Sequence, residues 1–95
     1  MAKLRYSASA ARDLDRLARF LYKENPHEAA KTIPLIVSAV DMLRLHPYIG
    51  RRRGSQTREL VISRGKSGYI ALYRYDEIRD IARVLAIRHQ RELEF

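Results

Sequence analysis

Apolar and polar residues alternate along this chain with two different periods, and the period changes once. Between Ser9 and Glu24 the apolar positions Ala10, Leu14, Leu17, Ala18 and Leu21 recur at three- and four-residue spacing. Arg12, Asp13, Arg16, Arg19 and Lys23 fall on the other side, so the segment predicts an amphipathic helix with Ser7 or Ser9 as N-cap. It should stop at Asn25, because a residue before proline is pushed out of helical geometry. Asn25-Pro26-His27-Glu28 then reads as a second start: Asn25 caps, Pro26 takes the first helical position, and Glu28 is placed for a capping box. Ala29, Ala30, Ile33, Ile36, Val37, Val40 and Leu43 supply its apolar side, and it ends before His46-Pro47. Pro34 lies inside it and predicts a kink. The two helices form an antiparallel hairpin with a very short turn.

Past Leu45 the pattern becomes one of strands. His46 to Gln56 reads as a polar loop with Gly50, Gly54 and the run Arg51-Arg52-Arg53, followed by a strand over Arg58–Ser63. Ser63–Gly68 suits a hairpin loop. The next strand, Tyr69–Tyr75, places Tyr69, Tyr73 and Tyr75 on one face and Ile70, Leu72 and Arg74 on the other. Asp76–Asp80 turns the chain into a third strand, Ile81–Gln90, with Ile81, Leu85, Ile87 and His89 on one face. Leu4-Arg5-Tyr6 adds a short edge strand. The expected layout is α+β, in the order β-α-α-β-β-β, with a helical hairpin packed on a small antiparallel sheet.

Composition narrows the chemistry. The 95 residues make one domain spanning 1–95, with 46% apolar and 32% charged residues, enough for a core. There is no cysteine, so thiolate zinc sites, disulfides and cysteine nucleophiles are excluded. Met1–Tyr6 lacks an apolar h-region, and the longest apolar run is far below the ~20 residues of a membrane span; a soluble, cytoplasmic protein without membrane contact is expected. His27, His46 and His89 are widely separated, so neither a metal nor another cofactor is expected.

Charge asks for a partner. Lys and Arg number 19 against 11 Asp and Glu, a net +8. Arg51, Arg52, Arg53, Arg58, Arg74, Arg88 and Arg91 lie in the loop or near strand ends, and an antiparallel meander would let them converge at one end of the sheet. Converging guanidiniums suit phosphate or carboxylate recognition, although an arginine run is also ordinary solvated surface. His89 among arginines is a candidate general base, with Arg58 or Arg74 stabilising phosphate charge; a hydrogen-bonded histidine at a strand end is the plainer reading. Glu59 offers a carboxylate base or a salt-bridged strand residue. The three tyrosines read as a base-stacking platform or as core.

The order and spacing of several short motifs resemble the RelE/ParE superfamily of toxins from type II toxin–antitoxin, or plasmid stabilisation, modules. They are Ser9-Ala10-Ala11-Arg12-Asp13-Leu14, Asn25-Pro26-x-x-Ala29-Ala30, His46-Pro47-x-x-Gly50-Arg51, Arg58-Glu59-Leu60-Val61, Tyr69-Ile70-x-x-Tyr73-Arg74 and Ile81-x-x-Val84-Leu85-x-Ile87-x-His89. The resemblance implies a growth inhibitor neutralised by an acidic antitoxin on its basic surface. It further implies one of two targets. The Arg58–Val61 and Tyr73-Arg74 wording looks closer to ParE-like members, which poison DNA gyrase by binding. RelE-like members instead cut mRNA in the ribosome as metal-independent endoribonucleases, for which Arg58, Arg74 and His89 fall near the expected positions. The chain lacks the lysine-rich loop and C-terminal tyrosine of that type. An inactive homologue that still binds antitoxin is the third reading.

Overall fold

The computed structural model describes residues 1–64 and 67–90. The chain opens with strand β1 (Lys3–Tyr6) and continues through helices α1 (Ala8–Glu24) and α2 (Pro26–Asp41) and a 3-10 turn (Met42–Arg44). Strands β2 (Arg51–Arg52), β3 (Arg58–Arg64), β4 (Ser67–Asp76) and β5 (Ile81–His89) complete it. Among the described residues these strands form one five-stranded sheet in the order β1-β5-β4-β3-β2. The α+β layout with a helical hairpin on the sheet is as expected, with two corrections. The sheet is mixed, because β1 runs parallel to β5, and part of the expected loop forms β2, pairing Arg51 with Glu59 and Arg52 with Arg58.

Caps set the helix boundaries. Ser7 Oγ accepts the Ala10 N–H at 3.0 Å, starting α1. Asn25 serves both helices: its N–H donates to the Leu21 carbonyl at 2.8 Å, and its Oδ1 accepts the Glu28 N–H at 3.2 Å. This double use explains how seventeen residues of α1 can be followed at once by α2. Pro34 stands exposed within α2, whose assigned span is unbroken across it.

Ile36, Val40 and Leu43 recur along α2 and its 3-10 extension and are fully buried, as are Tyr73, Val84 and Ile87 from the sheet. Full burial of each such side chain contributes about 1.5–3 kcal/mol. Tyr69 and Tyr73 are therefore core, not an open stacking platform. The hairpin turn expected within Ser63–Gly68 includes positions 65 and 66, which lie outside the described residues.

The expected face of β5 is corrected by a bulge. Leu72 pairs with Ala86 but Tyr73 pairs with Val84, leaving Leu85 as an extra residue. Ala82 and Val84 face the core on one side of the bulge, and Ile87 faces it on the other. Ile81 and Leu85 are thereby turned to the opposite face, away from Ile87.

Asp13 is a further correction. The helical pattern assigns it to the polar side of α1, yet it is 7% exposed. β1 pairs only with residues 81–84 of β5, so the edge beyond is covered by α1. Asp13 Oδ2 accepts the Ile87 N–H at 2.9 Å, and Oδ1 pairs with the Arg88 guanidinium. A helix carboxylate thus satisfies an edge donor that no strand among the described residues reaches.

Candidate functional site

The start of β3, the end of β4 and the start of β5 meet at one end of the sheet, where the 46–57 loop and the 77–80 turn flank a cleft of about 680 Å³. Arg52, Arg58, Arg74, Arg79 and Arg83 line it, with two tyrosines, Tyr48 and Tyr75.

Loop and sheet are fastened by a short chain of hydrogen bonds. Tyr73 Oη accepts the Gly50 N–H at 2.8 Å and donates to the Pro47 carbonyl at 2.8 Å. Arg58 Nη1 donates to the carbonyls of Gly50 at 2.8 Å and Tyr48 at 3.2 Å, and its guanidinium lies 5.2 Å from the Tyr48 ring centroid. Tyr48 packs edge-on against Tyr75 at 5.1 Å and donates to Glu77, joining the loop to the opposite turn. Tyr75 donates to Asp80 at 2.5 Å, and that bond pushes its pKa up to about 12. Burial raises that of Tyr73. Both phenols are neutral donors at physiological pH.

The sequence-derived basic set divides. Arg51, Arg52, Arg53, Arg58 and Arg74 gather at this end. Within it, Arg51 and Arg53 share Glu59 at 2.9 and 3.3 Å, which makes Glu59 a salt-bridged strand residue. Arg58 is occupied by loop carbonyls, while Arg52 and Arg74 line the cleft. Arg88 is elsewhere: it pairs with Ile70, four residues along β4 from Arg74, or about 13 Å at the usual strand rise. The physical reason is direction. The end of β5 lies beside the start of β4, not beside its end. Arg91 lies outside the described residues.

His89 follows Arg88. It stands opposite Tyr69, with ring centroids 5.3 Å apart and the planes at 85°. Arg58 stands opposite Tyr73, four residues further along the same strand. Arg58, Arg74 and His89 thus do not form one constellation. Among the described residues no group of three His, Asp or Glu side chains is placed to hold a metal, and no helix is long and apolar enough to cross a membrane.

Arg83 and Asp13 were missed as site and structural residues respectively. The alternation Ile81-Ala82-Arg83-Val84 carried the signal for Arg83, since a charged residue between two core-facing ones must point outward.

The model of the family described as ParE toxin of type II toxin–antitoxin system, parDE, matches residues 4–94. The chain is 39% identical over 93 residues to Toxin RelE3 of Caulobacter vibrioides, covering 97% of this chain and 98% of that protein. It is 41% identical over 68 residues to Toxin RelE1 of the same organism, covering 72% and 73%. Among solved structures it resembles a chain of the chromosomal ParDE system from P. aeruginosa, with a TM-score of 0.76, 25% identity, and 94% and 96% of the two chains covered. It also resembles a chain of the toxin–antitoxin complex RelBE2 from Mycobacterium tuberculosis, with a TM-score of 0.60, 26% identity, and 94% and 98% covered. The chain belongs to the ParE toxin family of the RelE/ParE superfamily and is a type II toxin–antitoxin toxin.

Proposed function

We propose that this toxin inhibits growth as a binding poison of DNA gyrase, and that an acidic segment of a cognate antitoxin neutralises it by covering the basic end of the sheet. The observation that carries the first part is the separation of the nuclease candidates. A general base must come within hydrogen-bond reach of the proton it takes while a cation meets the developing phosphate charge. His89 lies four strand residues from the position of Arg58, which is itself committed to two carbonyls. The antitoxin reading is supported by the net +8 charge and by the complexes formed by the ParDE and RelBE2 relatives.

The gyrase contact is assigned to the exposed face of α1, where Arg12, Arg16 and Arg19 stand beside the exposed Phe20. Arg19 pairs there with Asp15, one turn away and itself exposed, a contact of little energetic consequence. Reversing two charges, Arg16→Glu with Arg19→Glu, is expected to weaken gyrase inhibition by about tenfold or more without unfolding the chain. Supercoiling assays over a toxin titration measure this, and unchanged inhibition would remove α1 from the interface.

The names of the Caulobacter relatives favour a second reading, ribosome-dependent mRNA cleavage. His89→Ala separates the two. Under the gyrase reading the variant retains full growth inhibition on induction, because His89 stands beside Tyr69 at the end of the sheet away from Arg58 and Arg74. Loss of toxicity with an unchanged melting temperature would favour cleavage instead.

A further inference from the structure

The open face of the sheet carries an arrangement that folding alone disfavours. Arg74 of β4 stands directly opposite Arg83 of β5, and Arg83 is the register partner of Arg5 on β1. Three arginines thus form one transverse row over three adjacent strands, spaced by about 4.8 Å per strand. Like charges directly opposed across strands are destabilising. No compensating carboxylate pairs with any of the three among the described residues. Arg74 donates to the neutral amide of Gln56, and Arg5 donates to its neighbour's carbonyl, that of Leu4, at 3.0 Å.

The acidic groups nearest the row are committed elsewhere. Asp76 accepts the N–H groups of Ile78 and Arg79 and pairs with the Arg79 guanidinium. Glu77 holds Tyr48, and Asp80 holds Tyr75. Arg74 and Arg83 therefore present guanidinium forks to the cleft, with the apolar residues Ile78 and Ile81 lining it beside them. The cavity's roughly 680 Å³ lies within the usual size of small-molecule sites. Planar forks match phosphate oxygens two at a time, and a row of them matches a chain of phosphates better than a single one.

We propose that this cleft binds a free nucleoside triphosphate, its phosphates on Arg74 and Arg83 and its base against Ile78 and Ile81. This goes beyond the gyrase reading and does not depend on it.

Calorimetric titration of the purified chain with ATP, inorganic tripolyphosphate, adenosine and a six-nucleotide RNA tests the assignment. ATP is expected to bind, tripolyphosphate to bind about tenfold more weakly, and adenosine not to bind. The exposed double variant Arg74→Gln with Arg83→Gln is expected to lose about tenfold or more in ATP affinity. In the absence of nucleotide its melting temperature should equal or exceed that of the parent, because opposed charges have been removed. No ATP binding at millimolar concentration overturns the proposal, as does an unchanged affinity in the double variant. Equal binding of tripolyphosphate and ATP removes the base contact, and RNA binding more than about tenfold tighter than ATP reassigns the row to nucleic acid. A lowered melting temperature in the double variant would show that the arginines are held by the fold, and would equally overturn it.

Discussion

Replacing Gly50 with alanine is expected to destabilise the protein by about 3 kcal/mol, and so to lower its melting temperature by at least about 10 °C. A Cβ at this position would stand 2.6 Å from Tyr73 Cε1, 2.8 Å from its Oη and 2.9 Å from the Glu59 carbonyl oxygen. None of these atoms can withdraw easily. Tyr73 is fully buried and its hydroxyl is tied to Pro47, and the Glu59 carbonyl is main chain. The added methyl would also strain the Gly50 N–H bond to Tyr73 and the Gly50 carbonyl bond to Arg58. Those two bonds fasten the loop to β4 and β3, so the cleft should deform along with the stability loss. Tyr73→Phe isolates the hydrogen-bond part: it adds no bulk but leaves the Gly50 N–H without its partner, at a cost of about 1–3 kcal/mol. Thermal unfolding of both variants measures the two contributions, and a Gly50→Ala variant within about 0.5 kcal/mol of the parent would contradict the packing described.

The second large effect is expected at Asp13. Asp13→Ala should cost about 2–4 kcal/mol, because it strands two groups at once: the buried Ile87 N–H and the Arg88 guanidinium. Asp13→Asn keeps an acceptor for Ile87 but removes the charge facing Arg88, so its cost should be roughly half as large. Urea unfolding gives both values. Amide exchange adds a local reading, since the Ile87 N–H should lose protection in the alanine variant well before the core of β4 does. Equal stability of Asp13→Ala and the parent would mean that α1 does not seal the edge of β5.

These two positions also mark how far the sequence could be read. The helices were legible because burial imposes a period: Ile36, Val40 and Leu43 recur as a packed face requires, and Asn25-Pro26 carries its own capping chemistry. The same period carried an overlooked sign of Asp13, which stands three residues after Ala10 and four before Leu17, inside the apolar stripe. Its polarity argued for the solvent side, and only the strand edge opposite it explains why a carboxylate belongs there. Strand alternation was legible in β4 and misleading in β5, where an extra residue at Leu85 exchanges the faces without altering composition.

Convergence of the arginines depended on strand direction. Arg58 and Arg74 reach the same end of the sheet because β3 starts where β4 ends, whereas Arg88 follows β5 to the far end. Arg83, at the near end of β5, takes the place beside Arg74 that the sequence reading had given to Arg88. β2 escaped notice because two arginines in a polar loop carry no strand pattern, and their pairing is supplied by Glu59 and Arg58 across the turn.

The most direct measurement of target is made with purified components: DNA gyrase, relaxed plasmid and this chain, with supercoiling and trapped cleaved DNA read on the same gel. The binding-poison account expects supercoiling to fall as toxin rises, cleaved plasmid to accumulate, and His89→Ala to behave like the parent. Unimpaired supercoiling at toxin concentrations that arrest growth, together with mRNA cut in translating ribosomes and spared by His89→Ala, would contradict it.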